Sequence, residues 1–126
     1  MGLKVVGYLE GTDPRYLTEI TAKGIATVPL SNGADNHGRF IGHLTKGDNV
    51  SMVVGYFHKV IPPAEFYLTP QDILHACLTH DIPVVLLAPK EIHSDCHKML
   101  GKLSGNVSII DPEKMLSETL SKLKGK

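Results

Sequence analysis

The chain has no tryptophan, only two cysteines among its 126 residues, and no net charge, thirteen basic side chains balancing thirteen acidic ones. Each shortage excludes something. Two cysteines, Cys77 and Cys96, are too few for the disulfide framework of a small secreted scaffold. A balanced charge creates no field to draw in nucleic acid or an anionic membrane, so neither is expected as a partner. The one local excess, Lys122, Lys124 and Lys126, reads as a solvated helix end favoured by the helix dipole. No apolar run is long enough to span a bilayer. The opening MGLKVVGYLEG goes straight into a strand and lacks the build of a signal peptide. Position 6 is Val6, where a myristoylation pattern needs Ser or Thr. A reducing, cytoplasmic setting is the expectation.

Several binding motifs are also missing. Gly7 and Gly11 flank the end of the first strand, but G-x-G-x-x-G is absent, and so is the Walker pattern. A response-regulator receiver needs an aspartate ending its third strand and a lysine after its fifth. Here those places hold Gly55-Tyr56-Phe57 and Asp111-Pro112. A flavin site calls for aromatic side chains around the ring and a hydroxyl-rich phosphate loop. The chain has no tryptophan, and its first loop carries one hydroxyl, Thr12.

What is present is a fivefold alternation of β-branched runs with helical segments. Strands are expected at 4–9, 25–30, 50–56, 82–88 and 107–110. Helices are expected at 14–23, 39–46, 70–79, 91–100 and 112–123. Three helices open on a capping residue followed by proline: Asp13-Pro14, Thr69-Pro70 and Asp111-Pro112. Proline fits the first turn because its missing N–H is not needed there, and the residue before it accepts a free backbone N–H. Thr69 and Asp72 also have the spacing of a capping box. The runs at 50–54 and 84–88 are almost unbroken apolar residues, as in strands buried on both faces. The pattern predicts a single three-layer α/β/α domain over 1–126. Its five-stranded, mainly parallel sheet would be flavodoxin-like or Rossmann-like, with strand order 2-1-3-4-5.

Such sheets bind ligands at the carboxyl ends of their strands, where the strand order reverses. In that order residues 10–13 and 56–59 meet at the switch point, with the glycine-rich stretch SNGADNHG (31–38) beside them. The expected site is built from Glu10, Thr12, Asp13, Asn32, Asp35, Asn36, His37, Tyr56 and His58. His37 or His58 would accept a proton. Glu10 or Asp35 would orient that histidine or a water, and Tyr56 or Asn36 would hydrogen-bond the substrate. Thr12 and Asp13 have a second reading as plain helix caps. The spacing of His93 and His97 suits a metal clamp on one helix face, but no second ligand cluster accompanies them, so no metal site is assigned.

Two short stretches resemble known families. Gly7-Tyr8-Leu9-Glu10-Gly11 resembles the Y-L-x-G opening of nucleoside deoxyribosyltransferases, which would imply a nucleophilic acid on the 70–79 helix, where Asp72 stands. The spacing from that acid to Pro83 is one residue off the family pattern. Asp35-Asn36-His37, after the second strand, resembles the D-x-H-x-x-G segment of cobalamin-binding domains, which would make His37 a cobalt ligand. Position 40 there is Phe40 where the family has glycine.

Together these features lead to the expectation of a small-molecule-binding α/β protein, doing acid–base hydrolysis or group transfer on a nucleotide-like or phosphorylated metabolite. The cofactor is unspecified. The alternatives are a non-catalytic regulatory or assembly subunit and, more remotely, a cobalamin- or metal-binding protein. A homodimer or larger homo-oligomer is expected because Val60, Ile61, Phe66 and Leu68 place much apolar area in a long connection.

Overall fold

The capping residues act as their chemistry requires. In the computed structural model, which describes residues 4–31, 39–41, 44, 47, 49–61, 70–101 and 107–124, Asp13 Oδ1 accepts the Arg15 N–H at 2.9 Å and starts helix α1 (Pro14–Ala22). Asp111 Oδ1 accepts the Glu113 N–H at 3.0 Å. It opens a 3-10 turn, Pro112–Lys114, that runs on into α4 (Met115–Lys124). Helix α2 spans Pro70–Thr79, and α3 spans His93–Leu100 after a 3-10 turn at Lys90–Ile92. Thr69, the other half of the expected capping box, lies outside the described residues.

The strands are β1 (Val5–Leu9), β2 (Ala26–Ser31), β3 (Arg39–Phe40), β4 (Met52–Tyr56), β5 (Val84–Leu87) and β6 (Val107–Ile110). They form one sheet in the order β3-β2-β1-β4-β5-β6, and every pairing is parallel. The five long strands therefore lie in the expected order. A correction applies at one edge. Arg39 and Phe40, expected to begin a helix, pair with Leu30 and Ser31 as a two-residue strand. The apolar spacing behind the helix expectation still marks buried side chains, because Ile41 and Leu44 are both in the core.

Alternation along the strands divides the core into two layers, as a period of two requires. Val6, Met52, Val54, Val85 and Leu87 face α1 and α4, where they meet Tyr16, Ile20, Met115 and Leu123. Leu9, Val53, Val84, Leu86 and Val107 point the other way, onto Ile73, Leu74 and Cys77 of α2 and Cys96 and Leu100 of α3. On that second face Gly55 leaves room for a neighbour. A Cβ there would sit 2.8 Å from Leu9 Cδ1 and 2.9 Å from Leu9 Cβ. Val60 is fully buried in the same layer and Ile61 packs against it, so this part of the long connection is covered by its own chain. Phe66 and Leu68 lie outside the described residues. Among the described residues, no helix is long and apolar enough to cross a membrane.

One polar contact joins the helices of the first layer. The Tyr16 and Thr119 hydroxyls are 2.7 Å apart and buried between α1 and α4. Burial raises the Tyr16 phenol above its ordinary 10.0, and the hydrogen bond to Thr119 partly opposes this. Tyr16→Phe is expected to cost ~1–3 kcal/mol, because it leaves a buried hydroxyl short of its partner. Urea unfolding measures this directly. An unchanged midpoint would mean that the pair contributes nothing to stability.

Candidate active site at the carboxyl edge

The strand order reverses between β1 and β4, and the segments that follow these strands close on each other there. After β1 comes Glu10-Gly11-Thr12-Asp13. Gly11 has φ +90°, which suits glycine and turns the chain sharply into α1. The Thr12 hydroxyl is buried and donates to the Leu9 carbonyl at 2.7 Å. The Asp13 carboxylate is occupied as the α1 cap. Asp13 therefore caps the helix as expected, whereas Thr12 holds the end of β1 and does not cap α1.

After β4 the chain makes a single 3-10 turn, Phe57–Val60. Residues three apart line up in such a turn. Phe57 and Val60 are both buried, which leaves His58 exposed and turns Lys59, half-buried, away from that inner face. Lys59 reaches back across the switch point, its Nζ donating to Glu10 Oε1 at 3.1 Å. The Lys59 side chain is only 16% exposed, and that of Glu10 is 47% exposed. A Cβ on Gly11 would meet Lys59 Cε at 3.7 Å, so the lysine stem runs close over the loop. On the same segment the Tyr56 and His58 rings have their centroids 6.0 Å apart and are tilted by 31°.

The structure thus joins the two segments expected to meet through Glu10 and Lys59. Tyr56 and His58 belong to the segment on the β4 side, and Thr12 and Asp13 to the segment on the β1 side. Asn32, Asp35, Asn36 and His37 lie outside the described residues. Lys59 is the side chain that reasoning from residue types passed over. Its only signal in the sequence was its place, three residues past the end of an apolar strand at the reversal of order.

The residues bearing on other chemistry are placed elsewhere. Cys77 is buried on α2, and burial pushes its thiol up to about 12. Cys96 is buried on α3, and burial, with the neighbouring Asp95 carboxylate, raises its thiol too. Neither is a thiolate near neutral pH, which argues against a cysteine nucleophile. Among the described residues, no group of three or more histidine, cysteine, aspartate or glutamate side chains is placed to hold a metal ion. Neither protein-family models nor curated proteins yield a match to this chain.

Proposed function

We propose that the switch point between β1 and β4 binds a small nucleotide-like or phosphorylated metabolite and carries out acid–base hydrolysis or group transfer on it. The observation that supports this most is the Lys59–Glu10 pair bridging the switch point. A pair with one half-exposed partner contributes little to folding, ~0–1 kcal/mol. Stability alone is thus a weak reason to place a lysine side chain only 16% exposed at this edge.

The charges divide the work. Asp13 already takes the first free N–H of α1, and its carboxylate repels an anion. A phosphate would therefore be held by Lys59, with its charge-assisted hydrogen bond, and not by the helix end. Glu10, freed from Lys59 by that exchange, would accept hydrogen bonds from sugar hydroxyls or orient a water. His58, exposed at the mouth, would accept the proton of the attacking hydroxyl or water, with the Tyr56 phenol hydrogen-bonding the substrate.

Calorimetric titration with adenosine monophosphate and ribose 5-phosphate tests this. Lys59→Met is expected to weaken binding about tenfold or more, since a hydrogen bond to a charged group is worth ~1.5–3 kcal/mol. His58→Ala is expected to leave affinity nearly intact and to lower any turnover by ~10²–10⁴. Equal binding by wild type and Lys59→Met would remove the anion-holding role and the proposal with it.

A further inference from the structure

A cleft of about 420 Å³ lies farther along the same edge, where β5 and β6 end. The Ala88 N–H donates to the Ile110 carbonyl at 3.0 Å and holds these two strand ends together. The end of β6, at Ile109 and Ile110, forms part of its wall. Around them stand Lys90, His93, Asp111, Glu113, Lys114 and Glu118. The volume falls in the usual range for metabolite pockets.

The charges in this cleft do not neutralise one another. Lys90 and Lys114 share it with Glu113 and Glu118, yet no ion pair forms among these described residues. Lys114 and Glu118 are four residues apart with the lysine first, which is the weaker order for pairing along a helix. Glu118 is half-buried, and no hydrogen bond engages its carboxylate. Asp111 is committed through Oδ1 to the Glu113 N–H. The neutral ring of His93 is held in one tautomer by its surroundings. Its Nε2 lies 2.7 Å from the Ala88 carbonyl, which only accepts, so Nε2 carries the hydrogen and Nδ1 is left to accept in the neutral ring.

A cleft with uncommitted charges of both signs suits a dipolar ligand better than a plain anion or cation. A single-sign ligand would satisfy one pair and be repelled by the other. We propose that this cleft is a distinct binding site for a small zwitterion of the α-amino-acid type. The ligand's ammonium lies against Glu118 and Glu113, and its carboxylate lies between Lys90 and Lys114. The His93 Nδ1 lone pair offers a further acceptor to the ammonium. This site shares no residue with the β1/β4 switch point, and either can fail without the other.

The test is a titration of the ¹⁵N-labelled full chain with each of the twenty common L-amino acids, and with propylamine and propionate as single-charge controls. At least one amino acid is expected to move the amides of 90–93, 111, 113 and 114 saturably in the millimolar range or below. Both controls are expected to bind at least ~10-fold more weakly, a difference of about 1.4 kcal/mol. Glu118→Gln and Lys114→Ala are each expected to weaken that amino acid by a similar factor while thermal melts stay unchanged. Three results would overturn the proposal. They are no saturable shift with any amino acid, equal binding of propylamine or propionate, and shifts confined to residues outside the cleft.

Discussion

Leu9→Ala is expected to destabilise the protein by ~2–5 kcal/mol, the range for emptying a fully buried leucine site. Gly55→Ala, in the opposite sense, is expected to cost ~1–3 kcal/mol by overpacking. The two changes meet in one place. The Cβ added at position 55 would press on Leu9 Cδ1 at 2.8 Å, and Leu9→Ala removes that atom. Leu9 Cβ, at 2.9 Å, remains in the way, so relief is partial. The double variant is expected to be more stable than the sum of the single effects by ~1 kcal/mol or more, the coupling seen between residues in contact. Denaturant titration of the four proteins measures this coupling. Strict additivity would mean that Leu9 does not lie over Gly55, and that β1 and β4 are not in the register that brings Glu10 and Lys59 together.

Alkaline pH is expected to unfold the protein through Cys77. An unfolded cysteine loses its proton near 9.0, while burial holds the native Cys77 thiol up to about 12. Between these values the native state keeps a proton that the unfolded state has shed, so stability falls as pH rises. The contribution is fully present below pH 9 and is lost as pH climbs to about 12. Three pH units at 1.36 kcal/mol each amount to something on the order of 4 kcal/mol. Tyr16 and Cys96, both raised by burial, add in the same direction. Unfolding free energies measured across this range for wild type and Cys77→Ala separate the Cys77 share. The variant is expected to lose stability with a slope shallower by up to one proton. Parallel slopes would mean that Cys77 reaches solvent in the native state.

Much of the fold was legible because its signals are local. Asp13-Pro14 and Asp111-Pro112 mark helical starts by chemistry that needs only neighbouring residues, and both aspartates cap as expected. The run at 84–87 is buried at every position, as an interior parallel strand requires. The two-residue β3 was not legible. Two residues carry no period, and the spacing of Phe40, Ile41 and Leu44 fits one face of a helix as well as a strand followed by a turn. The place of the candidate site followed from strand order, yet the Lys59–Glu10 pair did not. It joins residues 49 apart in sequence through a 3-10 turn whose inward side is set by the burial of Phe57 and Val60. No local motif announces that geometry. The β5/β6 cleft was hidden for a similar reason. His93 stood out only for its spacing from His97, Lys90 and Glu118 belong to no motif, and these residues meet only where β5 and β6 end side by side.

The ligand site at the β1/β4 switch point is tested most directly by mapping where a nucleotide binds. Adenosine monophosphate, added to the ¹⁵N-labelled protein, is expected to move the amides of 10–13 and 56–59 along one saturable curve, and Lys59→Met is expected to shift that curve to about tenfold higher concentration or beyond. Saturable binding that leaves those amides still, or that is indifferent to Lys59→Met, would contradict a ligand site at this switch point.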